Sequence, residues 1–106
     1  MEEVAYETVN CLLRTVPAAV PGIAFLSGGQ SAQLASARLN AMNMRYKMHV
    51  PWALSFSFSR AIQEPALEAW ENSDFNISTT QMVLAQRAAC NRAARCGEYS
   101  SAMETN

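Results

Sequence analysis

The first apolar residues of this chain recur at helical spacing: Val4, Ala5, Val9, Leu12 and Leu13 share one face, Arg14 places a cation near the C-terminal end, and Pro17 stops the run. This pattern predicts an amphipathic helix. Pro17 and Pro21 bracket a turn, after which Gly22 to Leu26 (GIAFL) is an apolar run of strand length ended by Ser27-Gly28-Gly29. A second helix follows, with Ser31 as its N-cap and Leu34, Ala35, Leu39 and Met42 on its apolar face; the polar stretch from Asn43 to Val50 then leads back to a strand.

That strand is sharply patterned. Trp52, Leu54, Phe56 and Phe58 alternate with Ala53, Ser55, Ser57 and Ser59, so one face is bulky and apolar and the other small and mostly polar. A surface-exposed antiparallel strand with its serines in water would give this pattern. So would a parallel strand covered by helices, which the crossover-length helices on either side favour; its small residues would then line a barrel interior or a site. Arg60 comes next, then a short helix over 61–70 in which Pro65 marks a fresh first turn. Asn72 to Thr79 reads as a loop, and Thr80 to Arg95 as a longer helix with Met82, Val83, Ala89, Cys90 and Ala93 available for burial. Arg87, Arg92 and Arg95 read as its solvated face, and the tail SSAMETN as frayed. Two strands among four helices make an α/β pattern with too few strands to close a sheet, so the chain reads as part of a larger fold.

Composition narrows the partners. The 106 residues are 50% hydrophobic and 16% charged, with 8 Lys+Arg against 9 Asp+Glu and a formal charge of -1, which is globular and offers no basic footprint for nucleic acid or an anionic membrane. The most apolar stretch, Val16 to Leu26, is about half a membrane span and carries Pro17, Pro21 and Gly22. The N-terminal MEEVAYE is acidic where a signal peptide is basic, which points to the cytoplasm. Cys11, Cys90 and Cys96 lack metal-site or disulfide spacing and read as buried, reduced, structural thiols. His49 is the only histidine and reads as a solvated loop residue. The Asn76-Ile77-Ser78 sequon is set aside, because the pattern is short and the compartment is wrong for it.

The chemistry sits at the two strand ends. Gly28 and Gly29 let backbone approach a ligand, their N–H groups and the following helix start form a positive concavity, and Ser27 adds a hydroxyl. Arg60 adds a permanently charged, bidentate fork at the second strand end. A bland turn and a surface arginine would explain either feature alone. Each motif, however, follows a strand and precedes a helix, and the pairing points to an anion site. No catalytic residue is expected in this chain: Lys47, the only lysine, lies at the opposite end of the strand, and Glu64, Glu68, Glu71 and Asp74 read as helix-face charges.

TVPAAVPGIAFLSGGQS (15–31), LNAMN (39–43), PWALSFSFSRAIQ (51–63), the Ala-Leu-Glu-Ala-Trp of 66–70 and Gly97-Glu98-Tyr99 resemble the C-terminal part of class I fructose-bisphosphate aldolase. The match runs over residues 1–99, leaving 100–106 as tail. It implies a (β/α)8 TIM barrel to which this chain contributes the seventh and eighth strands with their helices, in line with the tendency of such barrels to bind phosphate there. By that resemblance Ser27, Gly28 and Arg60 hold the substrate phosphate, Ser59 offers its backbone N–H and Ser57 lines the same site; with Gly29, read from the turn itself, these make up the expected phosphate-binding set. The implied enzyme is a homotetramer without metal or other cofactor. It cleaves fructose 1,6-bisphosphate reversibly to dihydroxyacetone phosphate and glyceraldehyde 3-phosphate through a lysine Schiff base, and the lysine lies outside this sequence.

The sequence departs from the family pattern at two places. Ser59 stands where the family has Gly or Ala, and no aromatic follows Tyr99, whereas the family tail generally ends in a tyrosine. Two other readings compete: a shortened, non-catalytic aldolase-like protein that binds phosphosugars or a partner, and a phosphate-binding barrel of different chemistry.

Overall fold

The computed structural model describes residues 1–105, so Asn106, the last residue of the expected frayed tail, lies outside the described residues. Four helices pack around a two-stranded sheet, in the order α1 (Glu2–Thr15), β1 (Gly22–Phe25), α2 (Ala32–Tyr46), β2 (Ala53–Phe56), α3 (Arg60–Trp70) and α4 (Ile77–Cys96). Short 3-10 turns at Asp74–Asn76 and Ser101–Thr105 flank α4. The strands pair in parallel, with Gly22 opposite Ala53, Ile23 opposite Leu54, Ala24 opposite Ser55 and Phe25 opposite Phe56. Both are shorter than the sequence suggests, because the ladder stops where the serine- and glycine-rich segments turn away.

This register puts Ile23, Leu54, Phe25 and Phe56 on one face of the sheet. Helices cover that face. Trp52, Leu54 and Phe58 are buried there with Leu39, Met42, Val9 and Ala94, and the Trp52 indole N–H donates to the Pro17 carbonyl at 2.9 Å. On the other face Ala24 and Ser57 are exposed and Ser55 is half-buried. A parallel sheet ordinarily has both faces covered. The radius of gyration is 15.0 Å, against about 13 Å for a compact domain of this length, so the molecule is elongated around its open sheet.

Three expectations about helices need correction. α2 continues through Tyr46 instead of ending in the polar stretch from Asn43. Asn43 is buried, and its side-chain amide donates to the carbonyls of Leu39, Leu54 and Ala94 at 3.3, 3.0 and 3.1 Å, so a polar residue ties α2 to β2 and α4. Pro65 lies within an unbroken α3 and does not start a new turn. In α4, which begins at Ile77, the buried stripe is Arg87, Cys90, Asn91 and Ala94; Met82 and Ala89, expected inside, are exposed. The helix is small-residued enough to pack closely, and polar groups that bond to one another lie in its seam.

α4 ends in a Schellman arrangement. Gly97 takes a left-handed φ of 76°, and the N–H groups of Glu98 and Gly97 return to the carbonyls of Ala93 and Ala94. A Cβ at Gly97 would lie 3.2 Å from the backbone N and Cα of Met44 on α2, so glycine is required by conformation and by space. Of the three thiols only Cys90 is buried; Cys11 and Cys96 are exposed, which corrects the expectation that all three lie in the core. Cys11 sits on the outer face of α1 and Cys96 at the last turn of α4.

Candidate functional site

Because β1 and β2 run parallel and in register, their C-terminal ends emerge side by side. The Ser57 N–H extends the ladder by donating to the Phe25 carbonyl at 2.8 Å. Ser27 is buried, and its hydroxyl accepts the backbone N–H of Ala61 at 3.4 Å, which links the loop after β1 to the first turn of α3. The turn itself closes when the Gln30 backbone N–H and its side-chain amide both donate to the Ser27 carbonyl, at 3.2 and 2.8 Å. Arg38 of α2 donates to the Gln30 side-chain oxygen at 2.9 Å and fixes that amide.

Gly28 has a left-handed φ of 59°, which a residue with a Cβ adopts only with strain. Gly29 does not. Among the described residues nothing lies within 4 Å of where a Cβ would stand on either residue, so both glycines face open space. Ser31 caps α2 by accepting the Leu34 N–H at 3.1 Å. Neither α2 nor α3 has an acidic residue in its first turn, and Ser59, the residue before α3, makes no side-chain cap. Two helix N-termini without acidic residues in their first turns therefore stand at the same end of the sheet, the electrostatic setting that favours an anion.

Ser57, Ser59 and Arg60 are exposed. Arg60 also lines a groove of about 360 Å³ between the start of α2, α3 and α4, together with Gln30, Ser31, Glu64, Arg87 and Glu104. Ser27, Gly28, Gly29, Ser57 and Ser59 do not line that groove; Ser27 is buried and the other four are exposed. The structure thus joins Ser27 to the helix that Arg60 begins, and leaves the glycines and Ser57 facing solvent.

Lys47 is exposed as expected, although its ammonium donates to the Cys96 carbonyl at 3.1 Å, across the C-terminal ends of α2 and α4 and away from the strand-end junction. His49 is exposed, in keeping with a solvated loop residue. Among the described residues no three His, Cys, Asp or Glu side chains gather as a metal site, and no helix is long and apolar enough to cross a membrane.

Arg87 overturns its expected place on a solvated face. It is 3% exposed, and its guanidinium donates to the Glu104 carboxylate, to the Ala32 carbonyl at 3.1 Å and to the Ser36 hydroxyl at 2.8 Å. Ser36 passes the bond on to the Asn91 side-chain oxygen at 2.7 Å. Glu104 also accepts the Tyr99 hydroxyl at 2.7 Å, and the Tyr99 N–H donates to Asn40 at 2.9 Å. The segment Ser101–Thr105, expected to fray, is therefore an ordered 3-10 turn fastened to the body. The spacing of Arg87, Cys90, Asn91 and Ala94 at i, i+3, i+4 and i+7 was the available signal for this burial.

The clasp shapes its own protonation. Burial alone would raise the Glu104 pKa, but the Tyr99 hydroxyl and the Arg87 guanidinium outweigh it and hold the carboxyl below its usual value. Burial, then the hydrogen bond to Glu104 and its charge, push Tyr99 well above the ordinary tyrosine range. Burial and the same carboxylate raise the Cys90 thiol.

Residues 1–106 match the family profile of class-I fructose-bisphosphate aldolase. Fructose-bisphosphate aldolase B of Sparus aurata is 54% identical over 98 residues, which is 92% of this chain and 27% of that protein. The cytoplasmic isozyme 1 of Pisum sativum is 47% identical over 104 residues, 98% of this chain and 29% of the relative. A solved structure of the aldolase from Plasmodium falciparum, in complex with TRAP and a small-molecule inhibitor, superposes with a TM-score of 0.89 at 44% identity, covering 94% of this chain and 28% of the other. The chain spans a little over a quarter of the length of these relatives, and within that span both fold and sequence agree: it belongs to the class I fructose-bisphosphate aldolase family.

Proposed function

We propose that this chain is the phosphate-binding portion of a fructose-bisphosphate aldolase, contributing the seventh and eighth strands of a (β/α)8 barrel. The observation that carries the reading is the juxtaposition of two strand-end motifs. Ser27, Gly28 and Gly29 and the start of α2 meet Ser57, Ser59, Arg60 and the start of α3, through the Ser27 hydroxyl and the Ala61 N–H. Backbone N–H groups at the glycines and at the start of α3 would bind the phosphate oxygens of a phosphorylated ketose or triose, the serine hydroxyls would add donors, and Arg60 would neutralise charge. The uncovered face of Ala24, Ser55 and Ser57 supports the barrel, since small residues suit an interior shared with other strands.

The reaction, reversible cleavage of fructose 1,6-bisphosphate, requires a lysine amine to form an imine with the substrate ketone. Lys47 is the only lysine here; it is solvated, bonded to a helix C-terminus and remote from the cradle. Its position favours a chain that binds phosphate without performing chemistry by itself, the catalytic lysine lying on another part of a complete, cytosolic, tetrameric enzyme. The 106-residue chain is expected to yield no borohydride-trapped adduct with fructose 1,6-bisphosphate, and an adduct on Lys47 would overturn this assignment. In a complete barrel carrying the sequence, Arg60→Ala is expected to weaken phosphate binding by about 1.5 to 3 kcal/mol, and unchanged affinity would sink the site. A chain that is monomeric, folded and phosphate-binding alone would favour the non-catalytic binding protein.

A further inference from the structure

Arg87 lies one helix away from the strand-end loop and yet grips it from behind. Its guanidinium donates to the Ala32 carbonyl and the Ser36 hydroxyl, both in the first turns of α2. The same α2 start carries Ser31, whose hydroxyl and carbonyl accept from Leu34 and Ala35, and Ser31 is joined through Gln30 to the Ser27 turn. Arg87 is held in turn by Glu104, which is tethered by the Tyr99 hydroxyl, while the Gln86 side-chain amide donates to the neighbouring Met103 carbonyl at 3.1 Å. An unbroken chain of bonds thus runs from the tail to the glycine turn.

A guanidinium withdrawn from water needs a counter-charge, and here that charge comes from the tail. Among the described residues the Arg87 Nε has no hydrogen-bond partner, and the two terminal nitrogens make the bonds that orient the group. We propose that Glu104 is a positioning residue for the strand-end loop: by holding Arg87 against the first turn of α2, it fixes where the Gly28–Gly29 turn and the Ser31 cap sit. The inference rests on the reading of that loop as a phosphate cradle, and it adds a control of the cradle by residues that touch no ligand.

The test compares the protein with Glu104→Gln, Tyr99→Phe and the exposed Arg92→Ala, reading hydrogen exchange at amides 28–35 and affinity for inorganic phosphate. Glu104→Gln keeps the side chain's size and removes its charge. It is expected to speed exchange at the Leu34 and Ala35 amides and to weaken phosphate binding by about three- to tenfold, with Tyr99→Phe intermediate and Arg92→Ala unchanged. Exchange at Val9 and Leu54 stays at its original rate, which separates loosening of the loop from general destabilisation. Faster exchange confined to residues 101–105, with amides 28–35 and affinity unchanged, overturns the proposal. Faster exchange at Val9 and Leu54 matching that at 28–35 also overturns it. Arg60→Ala in the same assay keeps the two readings apart. If it leaves phosphate affinity unchanged the cradle is misassigned, and exchange at 28–35 alone then decides whether Glu104 positions the loop.

Discussion

The Ser27 hydroxyl accepts the Ala61 backbone N–H at 3.4 Å in a buried position, so a side-chain hydrogen bond joins the segment after β1 to the helix after β2. The loop after β1 and the start of α3 are thus linked directly, without passing through the sheet.

Ser27→Ala should leave the Ala61 N–H without that acceptor and destabilise the fold by about 1 kcal/mol, the low end for an unsatisfied buried donor because the bond is long. The shift in urea midpoint measures it; a variant as stable as the parent would mean that the contact does not couple the two loops.

Asn43 is the polar pin of the core. Asn43→Ala removes donation to three carbonyls on three elements and opens a void, for an expected loss of about 2 to 4 kcal/mol. Equilibrium unfolding with an unchanged m-value is the measurement, and a loss under about 0.5 kcal/mol would contradict the pinning role.

The glycines should separate by cause. Gly97→Ala meets both a left-handed φ and the Met44 backbone at 3.2 Å, and should cost about 1 to 3 kcal/mol. Gly29→Ala, with open space and no positive φ, should change stability by less than about 0.5 kcal/mol. If backbone approach to phosphate matters at this turn, Gly29→Ala should still weaken phosphate binding, so thermal melts and phosphate titrations on the two variants give opposite rankings.

The clasp should make stability fall at both ends of the pH scale. Glu104 is held below its usual value in the folded protein, so its contribution is full above the unfolded glutamate pKa of about 4.3 and is lost as pH falls through the depressed folded value. Tyr99 is raised, so its contribution is full below about pH 10 and declines as pH rises from there. Unfolding free energy measured across pH should lose its acid limb in part in Glu104→Gln, and an identical acid limb in the variant would exclude Glu104 as a contributor.

The alternation from Trp52 to Phe58 and the single apolar run of GIAFL were enough to read the strands and their helix-facing side, because a two-residue period is written locally. The strand-end serines, glycines and Arg60 were legible for the same reason. Their convergence was a consequence of parallel pairing, and their relation to the groove was not visible in the sequence. Arg87 and Asn43 were misread because polarity along one helix says nothing about which partners another element will supply. Glu104 is 17 residues beyond Arg87, in a tail whose composition resembles that of unstructured chain. Pro65 illustrates the opposite case, where a residue that locally marks a first turn lies inside a helix that runs on through it.

The two short strands also act as a filter on what can join them. Each presents four residues, about 13 Å of backbone, and the register places every bulky side chain toward the helices. A neighbouring strand displaced by one residue would turn its own bulky set toward the small-residue side and lose its burial. The sheet edge therefore selects its neighbour by phase, admitting a strand whose apolar positions fall in step with Leu54 and Phe56 and refusing the same sequence shifted by one.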